Sequence, residues 1–96
     1  MNIKISEDTA ALLIMALNNK GKSAARVAVQ GFGWGGPVLG IALDEQREND
    51  VVVEKHGVKI VAEKDFAYLL DDAQIVHSRG IFGNRFNIST RNSGSC

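Results

Sequence analysis

The sequence has one cysteine, no net charge and no long apolar run, and each of these features argues against a class of protein. Its only cysteine is Cys96, so no internal disulfide framework can hold the fold. Eleven basic and eleven acidic residues give zero formal net charge, which argues against a broad electrostatic grip on nucleic acid. The longest apolar run covers eight residues, 10–17. A membrane-spanning helix needs about 20.

The expected location follows from the same shortages. Segment 1–4 shows no basic region leading into an apolar core, as a secretory leader would. We therefore expect an intracellular, cytoplasmic protein that has neither a membrane partner nor a nucleic-acid partner. With 96 residues, 45% of them hydrophobic and 23% charged, the chain has the size and composition of a single globular domain.

The N-terminal part of the sequence predicts one amphipathic helix over residues 6–20, after a short opening strand at 3–5. Ser6 is a typical N-cap, and Gly21 is placed to end the helix in a left-handed conformation. Apolar residues recur at helical spacing, at Ala10, Leu13, Ile14 and Leu17. We interpret this apolar stripe as core packing.

Beyond the helix, the hydrophobic pattern changes to the two-residue period of β-strands. This alternation, together with β-branched runs, predicts strands at 25–30, 38–43, 51–53, 58–61 and 74–78. Segment 64–70 is expected to form a short helix or turn. The predicted fold class is therefore mainly β (α+β) with an N-terminal helix, because helices and strands do not alternate as a doubly wound parallel sheet requires.

Two dipeptides predict tight hairpin turns. His56-Gly57 separates the strands at 51–53 and 58–61. Gly83-Asn84 is expected to turn the chain between short strands at 81–82 and 86–88.

Five of the ten glycines lie within residues 31–40, around the only tryptophan. Because glycine permits positive φ and close backbone approach, the segment Gly33, Trp34, Gly35 and Gly36 is a candidate binding loop. It would wrap backbone amides around an anion or expose Trp34 to a partner. A P-loop is excluded because no Gly-Lys-Ser/Thr follows. The alternative is a plain glycine-rich connection in which Trp34 covers the end of the β structure.

The remaining candidate residues have ordinary explanations beside functional ones. His77 lies in a predicted strand and either ligates a metal or packs, and packing is favoured because no other ligand is near in sequence. No carboxylate pair or Ser/His/Asp order has a spacing that specifies catalysis, so no enzyme activity is expected. Cys96 is expected to be exposed, and is either incidental or half of a metal site that a second chain completes.

Short motifs occur in a constant order along the chain. They are Ile3-x-Ile5-Ser6, Val27-x-Val29 before the glycines, Gly40-x-x-Leu43-Asp44, Val51-Val52-Val53, Gly57-Val58-Lys59-Ile60, Phe66-x-Tyr68-Leu69, Ala73-x-Ile75, Gly80, Gly83, Phe86-x-Ile88 and a polar tail with Cys96. Together they resemble the HesB/IscA-like proteins, also called A-type iron–sulfur carriers. The resemblance implies a compact β barrel or sandwich of short mixed strands, with a HesB-like domain at 1–89 and a flexible tail at 90–96.

The resemblance also implies a ligand set, and this sequence departs from it. The family uses one cysteine in the glycine-rich loop and two in the tail. Here Trp34 stands at the loop position, Gly35 replaces a serine, and Gly36 keeps the glycine. Cys96 matches one tail cysteine and is the one expected metal ligand. The implied cofactor is an iron–sulfur cluster or iron, and the implied partners are iron–sulfur assembly or client proteins and further copies in a homodimer or tetramer.

Three functional hypotheses follow. The first is a divergent iron–sulfur assembly or carrier protein that lacks most ligand cysteines. The second is a metal-free protein- or peptide-binding module on the same fold. The third is a thiol or selenol redox protein, if the natural chain continues past Cys96.

Overall fold

The computed structural model describes residues 1–34, 36–65, 67–81 and 83–89. The elements, in chain order, are β1 (Ile3–Ile5), α1 (Glu7–Lys20), β2 (Ala24–Gly33), β3 (Gly36–Asp44), β4 (Asp50–Lys55), β5 (Val58–Glu63), a 3₁₀ helix (Ala67–Leu70), β6 (Ala73–Gly80) and β7 (Gly83–Ser89). This order confirms the mainly β class with an N-terminal helix. The predicted tail at 90–96, with Cys96, lies outside the described residues, as do Gly35, Phe66 and Phe82.

Both ends of α1 are capped as the sequence predicts. The Ser6 hydroxyl accepts a hydrogen bond from the Thr9 amide, and two acidic residues follow Ser6 at the positive end of the helix dipole. Gly21 ends the helix with a φ of 66°, and its amide donates to the Asn18 carbonyl. The predicted helix is thus confirmed, with Ser6 as its cap.

The strands form two mixed sheets. In the three-stranded sheet the order is β1-β6-β7, with β1 parallel and β7 antiparallel to β6. In the four-stranded sheet the order is β3-β2-β5-β4, with β2 and β5 parallel and the two outer pairs antiparallel. The edge strands β3 and β7 contact each other, so the two sheets meet along this side.

The hydrophobic core draws on both sheets and the helix. Its largest fully buried side chains include Ile3, Leu13, Val27, Ile60 and Ile75. The apolar stripe predicted on α1 therefore does pack into the core. On β5, alternate residues enter this core, and Val61 is buried on the opposite face.

One of the two predicted tight turns is confirmed and the other is wrong. His56 and Gly57 form the β4–β5 turn, with φ of 49° and 83°. In the β6–β7 hairpin, however, Gly80 pairs with Gly83, so both Gly83 and Asn84 lie in β7 and not in the turn. Ile81 lies in this turn instead of the predicted strand. Gly83 uses its positive φ of 113° beside the turn, at the first paired position of β7.

Candidate functional site

The glycine-rich segment predicted as a loop is mostly the end of a β-hairpin. Pairing between β2 and β3 continues until Gly33 lies opposite Gly36, and Trp34 occupies the turn. Gly36 has a φ of 111°, which favours glycine over residues with a side chain. Of the four predicted loop residues, three lie together at this turn, and Gly35 lies outside the described residues. Backbone pairing therefore extends to the ends of this segment, and Trp34 lies in the turn.

A β-bulge lies in β2 before the turn. The register shifts between Val29 and Gly31, which leaves Gln30 as the extra residue. The Gln30 side chain lies over Gly40 of β3, where a β-carbon would overlap the Gln30 amide. The glycine at position 40 is therefore explained by close side-chain approach.

Three apolar side chains are exposed at the end of this hairpin, and we call them the apolar tip: Phe32, Trp34 and Val38. Phe32 is 82% exposed, Val38 is 49% exposed, and Trp34 is fully exposed. Phe32 and Val38 lie on opposite faces of the hairpin, because Val38 pairs with Gly31, one residue before Phe32. Trp34 does not cover the end of the β structure, which removes the alternative offered for it.

The β6–β7 hairpin also ends in an exposed apolar residue. Ile81 is 95% exposed in the turn. Beside it, Gly80, Gly83, Asn84 and Arg85 line a cavity of about 490 Å³. Sequence reasoning missed this exposure, since the expected turn at Gly83-Asn84 put Ile81 inside a strand.

A buried arginine organises the connection between β3 and β4. The Arg26 Nε atom lies 2.6 Å from Asp44 Oδ2, and its Nη2 atom lies 2.6 Å from Asp50 Oδ2. Arg26 also donates to the Glu45 carbonyl oxygen, and the exposed Arg47 reaches Asp44 at 3.2 Å. These contacts join Arg26 on β2 to both ends of the 45–49 connection, at Asp44 and Asp50.

The pKa values in this cluster shift as ion pairing requires. Hydrogen bonding from Arg26 lowers the pKa of Asp50, and the Arg47 amide lowers it further, although burial opposes both. Arg26 and the Glu45 amide lower the pKa of Asp44. The pKa of Arg26 is raised, chiefly by its hydrogen bond to Asp50. All three groups are therefore charged at neutral pH, and each has a partner of opposite charge.

His77 contacts the first turn of α1. Its Nδ1 atom lies 2.7 Å from the hydroxyl oxygen of the buried Thr9, which accepts a hydrogen bond from Ser6. The direction of this hydrogen bond depends on which ring nitrogen of His77 carries the proton. This contact favours the packing interpretation of His77 over the metal-ligand one.

The donor atoms of the described residues do not fit an iron–sulfur cluster. Over 1–34, 36–65, 67–81 and 83–89, no group of three or more His, Cys, Asp or Glu side chains could hold a metal ion. Trp34 and its neighbouring glycines offer no thiolate, imidazole or carboxylate. Iron–sulfur clusters take cysteine thiolates, and the sole cysteine, Cys96, lies outside these ranges.

Within the described ranges, no helix has the combination of length and apolar character that crossing a membrane demands.

Comparison with known proteins was made by sequence and by structure. No model of a known protein family matches the chain. An iron-sulfur cluster insertion protein ErpA of Shewanella piezotolerans is 32% identical over 90 residues, covering 90% of this chain and 78% of that protein. Another, from Marinobacter nauticus, is 35% identical over 71 residues, covering 73% of this chain and 64% of that protein. In three such relatives the chain spans only 56–64% of their length.

The fold has a solved counterpart. A crystal structure of IscA with the [2Fe-2S] cluster superposes with a TM-score of 0.75, covering 99% of this chain and 91% of that one at 21% identity. This likeness confirms the fold, including the packing of one N-terminal helix with two mixed sheets. Together with the identity to the Shewanella relative, it shows that the chain belongs to the HesB/IscA-like family of A-type iron–sulfur carriers.

Proposed function

We propose that this chain works in iron–sulfur cluster assembly and handles iron or a cluster with Cys96 as its only thiolate ligand. The support is its sequence relation to proteins described as iron-sulfur cluster insertion proteins. The cluster is cargo in this proposal, exchanged with assembly or client proteins in the cytoplasm, and the chain catalyses no reaction of its own.

One observation limits the number of cluster ligands that this chain can supply. Trp34 occupies the turn of the β2–β3 hairpin, at the position where the family resemblance expects a cysteine. The indole N–H is a donor only and cannot replace a thiolate. These 96 residues therefore supply one thiolate, whereas a cluster takes about four ligands. We propose that a cluster is bound only between chains, in a homodimer or tetramer or with ligands from a partner.

Anaerobic reconstitution with ferrous iron and sulfide tests this proposal. The native chain is expected to bind clearly less than one cluster per chain, measured by visible absorbance and by iron and acid-labile sulfide. Cys96→Ser is expected to abolish the signal, because it removes the only thiolate. Ser95→Ala is the matched control and should keep the native signal.

Two results contradict the proposal. A Cys96→Ser variant that keeps the native cluster signal would show that Cys96 is not the ligand. A native chain that binds no iron at all would show that it does not handle this cargo, and would favour the metal-free binding module.

A further inference from the structure

We propose that the apolar tip is a docking surface for a client protein, one that receives an iron–sulfur cluster and presents an uncharged apolar cleft. The class of partner rests on the proposed function, whereas the docking itself rests on the hairpin. Trp34 is the anchor that enters the cleft, and Phe32 and Val38 contact its rim. The complex is transient.

Exposure at the tip is too concentrated to be incidental. Single exposed apolar side chains are ordinary on protein surfaces, but here a Phe, a Trp and a Val lie within seven residues on one hairpin. Tryptophan is also the residue type most enriched among those that dominate binding energy. An exposed Trp34 contributes nothing to the core, so its side chain is free to serve a partner.

Strand pairing supports this tip from both sides. Strand pairing continues to the last residues before the turn, where Gly33 lies opposite Gly36. A paired hairpin restricts the backbone before binding, so little conformational entropy is lost when a partner docks. The bulge at Gln30 lies just before the tip, and bulges commonly occur where a side chain must be aimed.

Charge indicates what kind of surface the tip fits. None of the seventeen residues from 27 to 43 is charged. The flanking charges, Arg26 and Asp44, lie at the other end of the hairpin and pair with each other. A matching partner surface is therefore uncharged as well. An anionic membrane is disfavoured, because it attracts basic residues and the tip has none.

The area of the tip indicates a short-lived complex. A buried Phe or Trp side chain contributes about 150–250 Å², so Phe32 and Trp34 together offer about 300–500 Å². A stable interface takes about 800 Å² from each partner. Two copies meeting tip to tip fall well short of this, which argues against a permanent dimer through the tip. A carrier that must release its partner after transferring a cluster needs such a weak contact.

The experiment first identifies the partner by crosslinking in the producing cells. The photoreactive residue p-benzoylphenylalanine is placed at position 34, and at position 68 as the matched control, because Tyr68 is an exposed aromatic residue on the 3₁₀ helix. A protein that crosslinks from position 34 and not from position 68 is identified by mass spectrometry and purified. No such protein being found would overturn the proposal.

The purified partner is then titrated against the native chain and two variants. Trp34 is the only tryptophan, so its fluorescence reports directly on the tip and should shift to the blue on binding. Calorimetry should show that Trp34→Ala binds about tenfold more weakly or worse, and that Tyr68→Ala binds as the native chain does. Circular dichroism checks that both variants are folded. Unchanged affinity of a folded Trp34→Ala would overturn the proposal.

Two other occupants are tested in parallel. Crosslinks from position 34 only to further copies of this chain would replace the proposed partner with self-association. A blue shift of Trp34 with vesicles of phosphatidylcholine and phosphatidylglycerol would replace it with a membrane. Failure of the proposed function gives a different result, in which docking is confirmed but the partner is of another class. In that case the partner binds through Trp34 but carries no iron–sulfur cluster.

Discussion

At the scale of single residues, Arg26 combines burial with a full set of charged partners. Its side chain is 7% exposed, and that of Asp50 is 2% exposed. Removing one member of a buried ion pair leaves the other charge unpaired away from water, which costs more than the pair itself contributes. Arg26 therefore determines whether the connection between β3 and β4 holds its position.

We expect Arg26→Met to lower the free energy of unfolding by about 3 kcal/mol, because Asp50 and Asp44 lose their main partner. Arg47→Met is the matched control. Its side chain is exposed, so the change should be within about 0.5 kcal/mol. Urea unfolding followed by circular dichroism measures both. Equal destabilisation of the two variants would contradict the importance assigned to the buried pairs.

The same cluster predicts an acid limit to stability. Both Asp44 and Asp50 have lowered pKa values in the folded chain, so their stabilising contribution is complete above the unfolded pKa of about 3.9. It is lost as the pH falls through the lower folded values. Urea midpoints measured from about pH 7 down to about pH 2 should therefore converge for the native chain and Arg26→Met below about pH 4. A constant difference between them would contradict this account.

Of the two residues most important to this account, sequence reasoning found Trp34 and missed Arg26. Trp34 was identified because a lone tryptophan among glycines is visible in any sequence. Its exposure was not decided, since the same pattern fits a side chain that covers the sheet. Arg26 was not singled out, because it falls inside the predicted strand 25–30. Its partners lie 18 and 24 residues away, and only the folded topology brings them together.

At the scale of elements, short sequence motifs predicted the structure correctly where nearby backbone groups determine the conformation. Ser6 and Gly21 mark the ends of α1 through hydrogen bonds to nearby backbone, and His56-Gly57 marks a turn through positive φ. The β6–β7 turn was misplaced because glycines at both positions 80 and 83 satisfy a turn pattern. Strand register then decides between them, and register depends on which apolar residues reach the core.

Helix capping gives a prediction at this scale. Ser6→Ala removes the acceptor for the Thr9 amide and the donor to its hydroxyl, which in turn contacts His77. We expect the free energy of unfolding to fall by about 1 kcal/mol. Ser78→Ala, at an exposed position on β6, should change it by less than about 0.5 kcal/mol. A Ser6→Ala variant as stable as the native chain would show that the cap contributes little.

At the scale of the whole molecule, the fold and the proposed ligand set depend on different residues. The alternating strands and the capped helix predicted the architecture, and the comparisons confirm the family. The ligand set depends on a few side chains that packing does not require. Trp34 lies outside the core, so replacing a cysteine there leaves the fold intact. The sequence could therefore predict the family from its pattern of strands and helix. In our proposal, the number of cluster ligands depends instead on the residue at one turn position, Trp34.

Iron bound by a Trp34→Cys variant tests this account most directly. Anaerobic reconstitution is carried out on the native chain and the variant, and iron and acid-labile sulfide are measured per chain. The variant has two thiolates per chain, so two chains reach the number of about four that a cluster takes. We predict that Trp34→Cys binds severalfold more iron than the native chain and shows a cluster absorbance. Equal iron in both proteins, at one full cluster per dimer, would contradict the account.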